Sequence, residues 1–314
     1  MKDLDINFPL DKFEKLIIDI GWDSLDDWID FCNNHKNKLL INKFWNNKVN
    51  DDWIWGLALP LLSQAYKFHN NFFDRKIIGL SALPGTGKTT LGNWLEAISL
   101  KLNFKIAVIS IDDFYLPSDE MKLAIKNNPW NVSRGFPGSH SVNLMYEKLL
   151  CWKKNGELNV PVFDKSLRNG LGDRSHWRSD KPDLLILEGW FLGIEPLSVD
   201  LNDQQIINMN LSTHESSYRL KIQRNLKEYL NVWKLIDNIW QLKPLEFEYM
   251  NMWKSNQEQE MFLQKGNALQ KEKLSDFLRM LNVSIPHKSF DVLNPYALLL
   301  IDQERNLIEA GLNF

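Results

Sequence analysis

The chain has only two cysteines in 314 residues, Cys32 and Cys151, far apart and without metal-type spacing. That argues against a disulfide framework or a zinc site, and both are expected to be plain buried thiols. No uninterrupted apolar run approaches the ~20 residues that a membrane helix requires, so no membrane role is expected. The start, Met1-Lys2-Asp3-Leu4-Asp5, has neither the basic residues nor the apolar stretch of a secretory signal, which leads to the expectation of a cytoplasmic protein. A basic excess is lacking too. The formal net charge of −3 argues against general nucleic-acid binding and leaves room only for a local basic pocket. Nor does any repeat or low-complexity tract stand out. What is there, 44% hydrophobic and 25% charged residues, is the composition of a globular protein, and the partner implied is a small molecule rather than another protein.

The length allows one large domain or two modest ones, at roughly 150 residues per domain. Residues 1–71 contain no strand-like run; Trp22, Leu25, Trp28, Ile29 and Cys32 recur at helical spacing, as do Trp53, Leu57, Leu61 and Ala65. This predicts an N-terminal helical extension. From residue 72 onward the pattern alternates between strands and helices, as in a parallel sheet with crossover helices. Strands are expected at Lys76–Ser81, Lys105–Ile111, Asp183–Leu187, Gln204–Leu211 and Ala297–Ile301, with a helix from Lys88 to about Leu102. Between the last two strands lies a long helical region with Tyr218, Ile222, Leu226, Tyr229 and Trp233 on one face. The charge-rich Lys254–Lys273 reads as a solvated helix face or a flap. The thirteen tryptophans are scattered on apolar stripes and are expected to pack in the core.

One motif dominates. Ile77 to Thr90 is a short apolar run feeding a turn that ends in Gly-Lys-Thr. Gly85 and Gly87 let consecutive N–H groups converge on one anion, in a backbone path that bulkier residues resist. Lys88 supplies a mobile positive charge for the β and γ phosphates, Thr89 a hydroxyl for Mg²⁺, and the following helix turns its positive end toward the ligand. The strict pattern has glycine where Ala82 stands, and Pro84 has no N–H, so the donors are expected from Gly85, Thr86, Gly87, Lys88, Thr89 and Thr90. ATP or GTP is the implied cofactor.

Ligands of open parallel sheets bind beyond the strand ends, which singles out the carboxylates found there. Asp112 and Asp113 follow the second strand, where one can accept a hydroxyl proton or both can cap a turn. Glu188 ends the third, a position suited to holding the metal through water. Two polar, glycine-bearing segments, Arg134–His140 and Phe163–Arg174, read as long cationic loops outside the core. Their Arg134, His140, Asp164, Lys165 and Arg174 suit charge-assisted recognition of a small anionic or polyhydroxylated molecule. Arg219, four residues before Gln223, is a candidate to close over the triphosphate as the phosphoryl group moves, or a plain surface arginine.

Five stretches together resemble the plant-type D-glycerate 3-kinase family: GLSALPGTGKTTL from Gly79, IDDFYL from Ile111, RGFPGSH from Arg134, VPVFDKSLRNGLGDR from Val160 and LEGWFLG from Leu187. The resemblance covers residues 72 to the C-terminus. It implies a P-loop NTPase-type α/β fold, a parallel sheet flanked by helices, over 72–314. It also implies transfer of the γ-phosphoryl of ATP, with Mg²⁺, to the 3-hydroxyl of D-glycerate, as in the glycolate salvage (photorespiration) of photosynthetic cells. The family is similar to uridine, pantothenate and phosphoribulo kinases, and by that motif match Asp112 is the base with Asp113 beside it. The catalytic set implied is Asp112, Lys88 and Arg219, the substrate set Asp113, Arg134, His140, Asp164, Lys165 and Arg174, and the metal set Thr89 and Glu188. One departure is visible: the family's Gly-Thr-His-Asp is Gly138-Ser139-His140-Ser141 here, which keeps a hydroxyl at 139 and removes a carboxylate at 141.

Overall fold

The computed structural model describes residues 10–35, 51–71, 74–197, 210–265 and 269–311. Among them are eight strands: β1 (Ile77–Ala82), β2 (Ile106–Ser110), β3 (Leu158–Asp164), β4 (Asp173–Asp180), β5 (Leu184–Gly189), β6 (Asn238–Pro244), β7 (Ala297–Ile301) and β8 (Leu307–Gly311). Six form the main sheet in the order β2-β5-β1-β6-β7-β8, the first five mutually parallel and β8 antiparallel to β7. β1 is buried at all six positions and β5 at five, as their near-continuous apolar sequence requires when helices cover both faces. This is the mostly parallel α/β architecture that the alternating pattern predicts.

Four of the five expected strands, β1, β2, β5 and β7, lie where the apolar runs put them, within about a residue or two at each end. Gln204–Leu211 falls almost wholly outside the described residues, and Asn210 and Leu211 are a turn and a coil position leading to Ser212. β6 corrects the expectation of unbroken helix after residue 211. Its Gln241 and Lys243 interrupt the apolar pattern, yet Gln241 is buried because its amide donates to the Phe290 carbonyl at 2.9 Å.

A second correction concerns the two polar segments. β3 and β4 pair as a separate antiparallel hairpin, so the segment Phe163–Arg174 is its turn together with the facing strand ends. β4, Asp-Arg-Ser-His-Trp-Arg-Ser-Asp, carries no strand signal in the sequence because half of it is exposed and none of it is buried. The first segment does enter the core, since Phe136 is buried and packs edge-on to Trp130 and Tyr218.

The helices Leu10–Asp19, Leu25–Asn34 and Leu59–Asn71 join the same hydrophobic core as the sheet. Trp28 Nε1 donates to Ser63 Oγ at 3.0 Å, and Trp240 Nε1 of β6 donates to Gln64 Oε1 at 2.8 Å, so the indoles bury their rings without orphaning their N–H groups. Trp28, Trp94, Trp152, Trp240 and Trp253 are fully buried, in keeping with the packing role expected of the tryptophans, whereas Trp177 on β4 is exposed. Cys32 is buried as expected, whereas Cys151 is exposed. No helix among the described residues is long and apolar enough to cross a membrane.

Candidate active site

The phosphate loop leaves β1 at Ala82 and enters the helix Lys88–Lys101 through Gly87, at φ +96°. Gly85, at φ +82°, has a second reason to lack a side chain: a Cβ there would lie 2.8 Å from Trp253 Cβ and 2.9 Å from the Trp253 carbonyl carbon. Thr86 is buried and closes the turn by donating from Oγ1 to the Leu83 carbonyl at 2.8 Å. Lys88 Nζ donates to the carbonyls of Ala82 and Leu83 at 2.7 and 3.0 Å and lies 4.0 Å from Glu188 Oε2. Burial lowers the proton affinity of Lys88, opposed by the charges of Glu188 and Asp112. Thr89 and Thr90 are exposed in the first helical turn.

The two aspartates after β2 have different positions. Ser110 Oγ accepts from the Asp112 N–H, and Asp113 Oδ2 accepts from the Ser110 N–H at 3.1 Å, a reciprocal cap on the short turn Ile111–Phe114. Asp113 Oδ1 accepts from the Phe163 N–H at 3.4 Å. Both Asp113 oxygens are thus engaged by backbone, which ties the hairpin to the main sheet rather than offering a contact to an acceptor.

Asp112 points the other way. Lys165 Nζ donates to its Oδ2 at 2.7 Å, and His140 Nε2 stands 3.9 Å from its Oδ1. Burial would raise the Asp112 carboxyl, but the Lys165 charge and His140 outweigh it and hold the group well below the usual carboxylate range. Glu188, at the tip of β5, is pushed up by burial against the pull of Lys88. The tips are fixed relative to one another, because a Cβ at Gly189 would sit 2.6 Å from Ile111 Cδ1, so β5 and the turn after β2 are in close contact.

Several predicted substrate residues are engaged otherwise. Arg134 donates to the carbonyls of Gly170 and Leu171 at 3.1 and 2.7 Å and lies over the Phe163 ring, stapling the hairpin turn. Asp164 Oδ1 accepts from Ser166 N and Oγ, a local turn at the hairpin tip. Arg174 Nη2 donates to Ser141 Oγ at 2.6 Å. Arg219 is only 2% exposed, inside the helix Thr213–Trp233. A flap closing over phosphates is therefore not its setting.

No family model matches the chain. An uncharacterized kinase of Schizosaccharomyces pombe is 30% identical over 249 residues, which span 73% of this chain and 88% of that protein. The chloroplastic D-glycerate 3-kinase of Arabidopsis thaliana is 32% identical over 215 residues, spanning 64% of this chain and 45% of the plant protein. The chain belongs to the plant-type D-glycerate 3-kinase family. It is accordingly a phosphotransferase with an alcohol group as acceptor. Among solved structures, the D-glycerate 3-kinase of Cryptococcus neoformans shares the fold, with a TM-score of 0.69 and 24% identity over 81% of this chain and 96% of that one.

Within this family frame, the site includes a lysine that its sequence context did not mark. The helix Tyr249–Lys265 packs on the phosphate loop, with Lys254 N 3.1 Å from where a Gly85 Cβ would stand. The Lys254 side chain is 13% exposed and paired with Glu258, and its charge is felt by both Lys88 and Asp112. The region read as a solvated face or flap is therefore part of the loop's wall at its N-terminal end. Lysine at 254 and glutamate at 258 are an ordinary i,i+4 pair in sequence, and only the fold brings them to residue 85.

Proposed function

We propose that the chain transfers the γ-phosphoryl group of ATP to the 3-hydroxyl of D-glycerate, giving 3-phosphoglycerate. The observation that supports it is the meeting of Lys88, Glu188, Asp112 and Lys165: a polyanion cradle beside a carboxylate whose partner is an exposed ammonium. D-glycerate has one carboxylate and two hydroxyls. Lys165, whose side chain is 59% exposed, exchanges Asp112 for the glycerate carboxylate, and Asp112 then accepts the hydrogen bond of the attacking hydroxyl. The bond from the γ-phosphorus to the ADP oxygen breaks as the bond to glycerate O3 forms, and the hydroxyl proton passes to Asp112 and on to water. Departure of Lys165 removes the charge that chiefly depresses Asp112 and so raises its proton affinity as the acceptor arrives, while the loose transition state still leaves alignment dominant.

Lys88, the amides of the phosphate loop and Lys254 neutralise the triphosphate. Mg²⁺ retains several waters and needs only one or two protein oxygens, so the Thr89 hydroxyl and the Glu188 carboxylate, both hard donors, fit it; it would supply charge neutralisation at the phosphates. In the same reading, residues 1–71 are an extension of a kinase body at 72–314, anchored to it through the Gln64–Trp240 bond.

The test is an ADP-release assay on the purified chain with D-glycerate, L-glycerate, uridine and pantothenate as acceptors. Saturable turnover with D-glycerate, abolished in Lys88→Ala, is the expected outcome. Activity on uridine or pantothenate without glycerate would replace the acceptor, and slow hydrolysis indifferent to every acceptor would favour a nucleotide switch read by a partner.

A further inference from the structure

His140 is surrounded on every side. Its side chain is 0% exposed, stacked against Tyr115 at 4.5 Å and 22° and edge-on to Phe191 and Tyr229. Nδ1 lies 2.8 Å from the Tyr229 hydroxyl, and Nε2 has no hydrogen-bond partner within range. The orphan nitrogen stands 3.9 Å from Asp112 Oδ1.

Hydrogen-bond accounting fixes the tautomer. The Tyr229 oxygen already accepts from the Gly138 N–H at 3.2 Å, and Tyr229 is wholly buried in the core, so its O–H needs an acceptor of its own. The acceptor within reach is His140 Nδ1. Ser139 makes no competing claim on that nitrogen, because its hydroxyl donates to the Phe136 carbonyl at 2.6 Å. With Nδ1 accepting, the neutral ring must hold its proton on Nε2, the atom that faces the carboxylate. Burial keeps the ring neutral by lowering its proton affinity.

We infer that Tyr229 and His140 form a buried positioning relay for Asp112: Gly138 N–H to Tyr229 O, Tyr229 O–H to His140 Nδ1, and His140 Nε2–H closing by about 1 Å onto Asp112 Oδ1 to reach hydrogen-bond length. This rests on the reading of Asp112 as the group that receives the acceptor hydroxyl. It replaces the expectation that His140 touches substrate. The relay acts on Oδ1 alone, while Oδ2 is held by the exposed Lys165 and is the oxygen that becomes available to the acceptor. Histidine here is a positioning residue: it sets the carboxylate plane and takes no proton during transfer.

Two measurements on the full chain decide it. Long-range ¹H–¹⁵N NMR of the ligand-free protein, with His140→Gln to assign the signal among six histidines, is expected to show His140 neutral at pH 7 with the proton on Nε2. In Tyr229→Phe the proton should stay on Nε2, held by the Asp112 carboxylate, while the Nδ1 resonance shifts as its donor is lost. A proton on Nδ1, an imidazolium at pH 7, or an unshifted Nδ1 resonance in Tyr229→Phe overturns the relay. In turnover, Tyr229→Phe is expected to lower kcat about tenfold, the size of one hydrogen bond to a charged network, with KM for the acceptor within about twofold. His140→Gln, which keeps an N–H donor, should retain more kcat than His140→Phe. A raised acceptor KM with kcat kept would mean that His140 contacts substrate, and also overturns the inference. Thermal unfolding of Tyr229→Phe, expected to stay cooperative with a lowered midpoint because Gly138 N–H and His140 Nδ1 lose their partner, separates positioning from loss of fold. If a different acceptor emerges from the panel, only the D-glycerate reading falls; the tautomer, and kcat measured with that acceptor, still decide the relay.

Discussion

Gly85 and Gly87 are two glycines of one loop, both at positive φ, and they should respond differently to alanine. At Gly87 an added methyl group finds the tip of the Trp53 ring at 3.8 Å, an ordinary contact, so Gly87→Ala meets only the conformational penalty of a left-handed L-residue, about 1–2 kcal/mol. At Gly85 the same penalty applies, and the methyl also lies 2.8–2.9 Å from the Cβ and carbonyl carbon of Trp253, atoms that cannot rotate away. Overpacking of this kind adds about 1–3 kcal/mol. Denaturant unfolding of the ligand-free variants should therefore place Gly85→Ala below Gly87→Ala in stability by at least about 1 kcal/mol. Calorimetry with magnesium nucleotide should show a larger loss of affinity as well, because relief of the clash shifts the helix Tyr249–Lys265 and Lys254 away from the loop. Equal destabilisation by the two substitutions, or a neutral Gly85→Ala, would refute the packing of Trp253 on the loop and the place given to Lys254.

Three further outcomes are expected. Asp112→Asn keeps shape but loses the anion, and kcat should fall about 10²–10⁴-fold with nucleotide affinity retained; near-wild-type activity would remove Asp112 from its assigned role. Asp113→Ala should instead lower stability by about 1–2 kcal/mol through loss of the reciprocal cap, measured by urea unfolding, and a selective rise in acceptor KM at unchanged stability would contradict its structural assignment. Glu215 links stability to pH: burial would raise its carboxyl, but hydrogen bonds from Arg279, the Ser212 backbone and Trp130 bring it down from 4.5 to about 2. A depressed folded value stabilises above the unfolded one, so Glu215→Gln should be less stable than wild type at pH 7, and the gap should close as pH falls from about 4.5 toward 2.

Legibility in the sequence followed burial. β1, β2, β5 and β7 could be read because helices or neighbouring strands cover them and their residues are almost all apolar, and the phosphate loop because its glycines take a backbone path, at positive φ, that shows in the sequence motif. The hairpin could not, since β4 faces solvent and has no apolar alternation to reveal it. β6 was hidden by Gln241, whose polarity is matched by the Phe290 carbonyl from the short helix Lys288–Asp291. In the site, residue type located the Asp112–Asp113 pair but could not tell the capping member from the free one, a matter of which carboxylate meets Ser110 N–H. Arg134 and Arg219 looked like ligand contacts because a cation in a polar or helical stretch gives no sign that backbone carbonyls or a buried setting await it. Lys254 needed the approach of residues 85 and 253, which no local pattern encodes.

The two-stranded ribbon formed by β3 and β4 supplies Lys165, whereas Lys88, Asp112 and Glu188 all issue from the six-stranded sheet. On the proposed reading, phosphoryl chemistry and acceptor choice reside on separate pieces of backbone, joined by bonds such as Asp113 to Phe163 and Asp173 to Ser118. Residues at the ribbon's tip can be exchanged without disturbing the strands that grip the nucleotide, so a lineage built on this plan is free to change what it phosphorylates while leaving untouched how it does so.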